Sequence, residues 1–421
     1  MSTMSPADLD SLAQLGLRAK KAARQLALVP SLVKDEALAA AADRLVERSD
    51  EILSANAKDV DRSTASGATA TVVDRLRLTE ARVAMMADGL RAVAALSDPV
   101  GQVVEGYVRP NGLRVERVRV PLGVVGIIYE NRPNVTADAA ALCLKSGNAA
   151  VLRGSAGALA SNRVIASSLS QAVEKAGLPR DAVLLVEDTS HATAVEFVRL
   201  RGLIDCLIPR GGPALLSMIL EHATVPYVLD GDGNCHVYVD ASAELSMAER
   251  IVVNAKMQRP SVCNAAETLL VHKDVAGEFL PRMSRALDGV VLAADERARP
   301  LLPGSRPATE TDFATEFLAL ELAVGVVDDL DGAIAHIAKY GSGHSEAIVT
   351  SDLGAATRFV REVDAAAVLV NASTRFIDGG ELGLGAEVGI STQKLHARGP
   401  MGLRELTCVK YVVYGQGQIR S

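Results

Sequence analysis

The spacing of apolar and polar residues in this chain changes character along its length. From residue 5 to about 98, Ala and Leu recur at helical spacing with charges on alternate faces. Ser5 and Pro6 form an N-cap and first-turn pair, so this stretch is expected to be mostly helical. The segment from about 103 to 120, VVEGYVRPNGLRVERVRV, reads instead as a β-hairpin, with Arg109-Pro110-Asn111-Gly112 as its turn. Its second arm alternates Val with Arg or Glu, which leaves one face polar. A two-stranded ribbon is marginal on its own, so it is expected to pack on another domain or subunit.

From residue 122, short unbroken apolar runs alternate with amphipathic stretches. GVVGIIYEN, AAVLR, AVLLVED, LIDCLIP and VPYVL read as buried strands, and 134–145 and 157–176 as helices. ETLLVH, LAVGVV, EAIVTSD and AAVLVNA form a second set of strands, with a helix at 331–340. Runs buried on both faces and joined by helices predict an α/β fold of doubly wound parallel sheets. The tail, CVKYVVYGQG, is β-like and is a candidate to join the hairpin.

Composition bounds the function. A length of 421 residues, 49% of them hydrophobic, suffices for two or three domains with large cores. A net charge of −7 argues against a generally basic surface for nucleic acid. No apolar run reaches membrane-spanning length, and the first residues lack the basic and apolar regions of a signal peptide. Cys143, Cys206, Cys235, Cys263 and Cys408 are widely spaced with no C-x-x-C pair. Neither a disulfide framework nor a metal site is expected, and a reducing cytoplasm is the expected setting. G-x-G-x-x-G, the P-loop lysine, G-x-S-x-G and H-E-x-x-H are all missing.

Cys263 is the residue with the most chemistry in its surroundings. It lies in NAKMQRPSVCNAAETLLVH, residues 254–272, where Pro260 stops an amphipathic stretch and an apolar β-like run follows. Lys256 and Arg259 are close in sequence, and positive charge favours thiolate over thiol. A nucleophilic cysteine is the reading.

Three segments together resemble the aldehyde dehydrogenase superfamily: GVVGIIYENRPNV (123–135), the Cys263 segment, and ATEFLALELAVGVVDDLDGAIAHIAKYGSGHSEAIVT (314–350). The phrases YENRPNV, DGDGNCHVYVD, QRPSVCNAAETLLVH and STRFIDGGELGLGAEVGISTQKLHARGPMGL resemble one family in particular, the gamma-glutamyl phosphate reductases. That resemblance implies NADPH-dependent reduction of L-glutamate 5-phosphate to the semialdehyde and phosphate, the second step of proline biosynthesis from glutamate. It implies an NADP(H)-binding domain from 1–102 and 121–253, a catalytic domain from 254–400, and an oligomerisation β-ribbon from 103–120 and 401–421. It also implies a homo-oligomer, with the preceding glutamate kinase as a candidate partner.

By the same resemblance, Cys263 is the nucleophile and Asn131 the oxyanion donor. Arg153 and Ser155 are candidates for the adenosine ribose and its 2′-phosphate, Gly211 and Gly212 for the pyrophosphate, and Glu316 for the nicotinamide ribose. Lys256, Arg259 and Ser261 are candidates for the leaving phosphate, Arg132 for a substrate carboxylate, and His344 for substrate or phosphate. Where oxidative relatives carry a general-base glutamate, this chain reads Leu229-Asp230-Gly231-Asp232-Gly233-Asn234. A reductase that ends at the aldehyde needs no hydrolytic water. Two alternatives stay open, a coenzyme A-acylating aldehyde dehydrogenase and a catalytically silent binding homologue.

Overall fold

The computed structural model describes residues 6–420, so Ser5 lies outside the described residues. The amino-terminal part is helical as expected, with helices Pro6–Leu26, Ser31–Glu47, Ser49–Ala65, Ala70–Leu76 and Glu80–Ala95. Thr79 caps the last of these by accepting from the Arg82 N–H at 3.2 Å. Helix Ser31–Glu47 buries Ala37, Leu38, Ala41, Ala42 and Leu45 along one stripe, the spacing of a single helical face.

The chain divides into two compact units. One comprises the residues up to Leu229 with Leu384–Gly389 and those from Met401; the other comprises Asp230–Gly383 with Ile390–Pro400. The division falls at 229/230, not at the expected 253/254. The reason is strand pairing: Cys235–Val239 hydrogen-bonds in parallel to Ala266–His272 and so belongs to the second sheet.

In the first unit, strands β1 (Val103–Val108) and β2 (Arg114–Pro121) form the expected hairpin. Gly112, at φ 85°, closes its turn by donating to the Arg109 carbonyl at 2.8 Å. The C-terminal strand Thr407–Tyr414 pairs antiparallel with β2 along its whole length, giving a three-stranded ribbon. Strands β3 (Val124–Tyr129), β4 (Ala149–Gly154), β5 (Val183–Leu185) and β6 (Cys206–Arg210) make a parallel sheet in the order β5-β4-β3-β6. β3 and β4 are wholly buried, which is why their sequences show no alternation. The expected strand VPYVL forms only a bridge between Leu207 and Tyr227. Pro226 has no N–H to give to a ladder.

The second unit is built on a parallel sheet of β7 (Cys235–Val239), β8 (Ala266–His272), β9 (Val291–Ala294), β10 (Arg306–Pro307), β11 (Glu321–Val327), β12 (Ser345–Val349) and β13 (Ala367–Val370). Their order is β10-β9-β11-β8-β7-β12-β13. One face packs on helices Leu245–Met257 and Lys273–Ala286 around Val237, Leu269, Phe279 and Val324. The other packs on helices Leu330–Tyr340 and Leu353–Glu362 around Tyr238, Ile337, Ile348 and Phe359.

Candidate active site

Helix Leu245–Met257 ends just before Pro260, and the chain turns through Ser261, Val262, Cys263 and Asn264 into β8. Cys263 therefore sits at the amino end of the second sheet. It is half-buried, whereas Cys143, Cys206 and Cys235 are buried. Burial pushes the Cys206 thiol up to about 12 and raises those of Cys143 and Cys235 as well, so these three remain thiols. Cys408 is exposed, on the ribbon.

The backbone of Cys263 is held from one side by the segment Asp230–Cys235. A side chain on Gly233 would put its Cβ 1.6 Å from the Cys263 carbonyl oxygen, so only glycine fits there. The Cys235 thiol donates to that same carbonyl at 3.2 Å. Asn234 anchors the segment, its N–H donating to Ser342 Oγ at 3.0 Å and its side-chain amide to the Phe313 and Tyr340 carbonyls at 2.8 and 2.7 Å. Glu316 Oε1 accepts from the Gly233 N–H at 2.8 Å, and Asp230 Oδ1 from the Ile390 N–H at 2.8 Å. Burial raises the Glu316 carboxyl above its ordinary range; the Gly233 N–H opposes this, and Asp232 and Asp230 push it further up.

The phosphate candidates separate. Arg259 and Ser261 are exposed in the turn that leads to Cys263. Lys256 is not with them: it is fully buried and ion-paired with Glu267 at 2.5 Å. It shares the buried stripe of its helix with Ala248, Ile251, Val252 and Ala255, so its ammonium points into the core and needs a carboxylate there. Desolvation lowers its pKa and raises that of Glu267 to about 7. His344 is also fully buried, with Nδ1 2.7 Å from Ser345 Oγ and 3.7 Å from Cys235 Sγ. It backs the thiol that braces Cys263, and its buried Nε2 has no hydrogen-bond partner.

One residue escaped the sequence reading. Arg375, in the short turn Thr374–Phe376, lies within the quoted STRF phrase, but no role attached to it. Its Nε donates to Gln258 Oε1 at 2.8 Å, and a terminal amino group donates to Asn264 Oδ1. It thus rests on the neighbours of Arg259 and of Cys263.

In the first unit, the remaining candidates converge on the carboxyl ends of β3, β4 and β6. Chain order reverses between β3 and β6, which makes this edge the topological switch point where open parallel sheets bind ligands. Asn131 follows β3 with φ 45°, a left-handed conformation that asparagine tolerates. Its N–H donates to Ser155 Oγ at 3.1 Å, and the Ser155 hydroxyl donates back to Asn131 Oδ1 at 2.9 Å. Oδ1 is therefore engaged as an acceptor, and Nδ2 is the end with protons to offer. Ser155, a cofactor candidate, is spent on orienting Asn131. Arg132 occupies the N-cap position of helix Pro133–Lys145, with no capping hydrogen bond from its side chain. Arg153, at the end of β4, donates to the Thr189 and Ser190 carbonyls at 2.7 and 2.9 Å. Burial lowers its pKa, opposed by the charges of Asp188 and Glu130. Gly211 and Gly212 lead into helix Pro213–His222, and the Gly212 N–H donates to Glu130 Oε2 at 3.0 Å. Glu130 was not singled out from sequence; its position next to Asn131 was the available signal.

Among the described residues, no group of three or more His, Cys, Asp or Glu side chains is placed to hold a metal ion, and no helix is long and apolar enough to cross a membrane.

The parallel sheets agree with what comparison with known proteins shows. The aldehyde dehydrogenase family model matches residues 2–299. The gamma-glutamyl phosphate reductase of Thermobifida fusca is 56% identical over 405 residues, covering 96% of this chain and 97% of its own. That of Carboxydothermus hydrogenoformans is 55% identical over 415 residues, covering 98% of this chain and all of its own. The crystal structure of gamma-glutamyl phosphate reductase from Thermotoga maritima superposes with a TM-score of 0.95 at 47% identity, covering 97% of this chain and 100% of that one. The chain belongs to the aldehyde dehydrogenase family. Within it, the chain falls among the gamma-glutamyl phosphate reductases, oxidoreductases of the glutamate-5-semialdehyde dehydrogenase class.

Proposed function

We propose that this chain catalyses the NADPH-dependent reduction of L-glutamate 5-phosphate to glutamate 5-semialdehyde and phosphate through a thioester on Cys263. The Cys263 thiolate attacks the acyl carbon, the C–O bond to phosphate breaks, and phosphate leaves with the bonding electrons. Reduced nicotinamide, when bound, supplies a hydride to the acyl carbon. The C–S bond then breaks, returning the thiolate and releasing the aldehyde. Splitting one displacement into two lowers each barrier. Asn131 is assigned to the oxyanion of each tetrahedral stage, donating from Nδ2; one such donor is worth about 3–4 kcal/mol.

The observation that carries the reading is the engagement of three carboxylates near Cys263 in its unit. Asp230 and Glu316 accept backbone N–H groups, and Glu267 is tied to Lys256. That set supports an acyl-enzyme discharged by reduction and not by activated water. For the cofactor, the buried Nε of Arg153 has no hydrogen-bond partner, an orphaned donor that suits a nucleotide's oxygens. Arg153 with Gly211 and Gly212 would hold the dinucleotide, and Glu316 its nicotinamide ribose. With a guanidinium at 153 and Gly154-Ser155-Ala156 after it, no carboxylate in that stretch repels a 2′-phosphate, which favours NADPH.

The test runs the reaction backwards, measuring NADP reduction by glutamate 5-semialdehyde plus phosphate. Cys263→Ala is expected to lose activity by at least about a thousandfold. Equal activity in the variant would sink the mechanism. NADPH formation that requires coenzyme A and ignores phosphate would replace it with the acylating alternative.

A further inference from the structure

We propose that Arg375, together with Arg259, binds the phosphoryl group of the acyl-phosphate substrate; this rests on the reading of Cys263 as the acyl acceptor. Four observations within the second unit lead there. Arg375 is fixed at both ends of the nucleophile turn, by Gln258 before it and Asn264 after it. Those bonds occupy Nε and one terminal amino group, so the guanidinium fork has donors left for a ligand. The half-buried Arg375 also stands within electrostatic reach of a like charge, Arg259, which lowers its pKa after burial itself; Asp378, Cys263 and Glu381 act in the opposite sense. Arg259, exposed in the turn before Cys263, thus adds a second positive charge beside the fork, which the carboxylates of Asp378 and Glu381 offset in part. Lastly, Lys256, the competing cation in this stretch, is withdrawn into its pair with Glu267.

Chemistry selects the phosphoryl group over the substrate's α-carboxylate. The phosphoryl oxygen is bonded to the carbon that Cys263 attacks, whereas the α-carboxylate lies at the far end of the glutamyl chain. As the C–S bond forms and the C–O bond breaks, negative charge collects on the departing phosphate. A planar fork braced on the residue after the nucleophile meets that charge with paired, charge-assisted hydrogen bonds.

The experiment measures KM for phosphate and for glutamate 5-semialdehyde separately in the oxidative direction, in wild type, Arg375→Gln, Arg375→Lys and Arg259→Gln. Loss of a charge-assisted pair predicts a rise of about ten- to a hundredfold in KM for phosphate in Arg375→Gln. The KM for the semialdehyde should stay within about twofold. Arg375→Lys should fall between, and Arg259→Gln should shift the same constant. An unchanged KM for phosphate, or a parallel rise in KM for the semialdehyde, overturns the assignment. Should Arg375→Gln fail to fold by circular dichroism, Arg375→Lys carries the same test with a rise of about threefold or more. Wild-type enzyme that reduces NADP without needing phosphate would overturn the proposed function and this assignment with it. A phosphate-dependent wild type with an indifferent Arg375→Gln would overturn this assignment alone.

Discussion

Two lysine–carboxylate and histidine–thiol contacts behind Cys263 set what can be expected of single residues. Lys256 and Glu267 are both fully buried and paired. Lys256→Met strands a carboxylate in the core and should cost about 3–5 kcal/mol of stability, read as a fall in the urea midpoint, with KM for phosphate unmoved. A variant of normal stability with a raised KM for phosphate would restore the direct role that the sequence suggested. His344 gives a pH dependence. Burial lowers its pKa from 6.5 to about 4, so the unfolded chain takes up a proton at a pH where the folded one does not. The neutral imidazole's contribution is complete above pH 6.5 and is lost as pH falls towards 4, by up to about 3 kcal/mol. Urea titrations at pH 7 and pH 5 should show a smaller acid loss for His344→Gln than for wild type; an equal loss counts against this. Both residues show where reading by sequence neighbourhood stops. Proximity to Cys263 in the chain suggested that Lys256 serves the substrate, but its register on the helix decides that it faces inward. Arg375 lies more than a hundred positions from the residues it touches, and no local pattern announces such a meeting.

The segment Asp230–Cys235 works as an element, although it has almost no regular structure. Its glycines are required by contact: Gly233 by the Cys263 carbonyl, and Gly231 by Thr392, whose Cγ2 would lie 2.2 Å from a Cβ. Gly233→Ala should leave the second unit folded and lower kcat/KM by at least about a hundredfold, because the segment must withdraw from the nucleophile. Gly277→Ala is the matched control. It lies on helix Lys273–Ala286 with nothing within 4 Å, and alanine there should add about 0.5–1 kcal/mol of stability with activity unchanged. If both variants keep wild-type kinetics, the brace has no catalytic consequence. Regular elements were legible where they were long or strongly patterned. The unbroken runs of β3, β4, β8 and β11 announced parallel strands because burial on both faces removes alternation. β10, at two residues, is too short to carry a pattern, and VPYVL had the composition of a strand with a proline where a donor was needed.

At the scale of the whole molecule, each sheet has its candidate chemistry at a different end of its own strands. In the first unit it lies at the carboxyl ends of the strands, where the switch-point rule places it. In the second, Cys263 lies at the amino end of β8, where that rule gives no guidance, and the residues themselves had to indicate it. The ribbon carries a further expectation. Tyr107, Tyr411 and Val413 are exposed on one face of it, an apolar surface that suits contact with a second copy. Sedimentation is expected to show an oligomer that weakens on Tyr411→Glu with Val413→Lys; a wild-type monomer at micromolar concentration would refute this.

The ribbon also has a consequence for how the protein is made. β2 pairs on one side with β1, beside it in sequence, and on the other with Thr407–Tyr414. During translation the hairpin leaves the ribosome early, but its outer partner does not exist until everything between Pro121 and Thr407 has been synthesised. At about 5–20 residues per second that interval is on the order of fifteen seconds to a minute. Throughout it, β2 is an open edge in a crowded cell, the kind of edge that recruits stray strands from other nascent chains. The charges that made its sequence look half-polar, Arg114, Glu116, Arg117 and Arg119, keep such partners off until the proper one arrives.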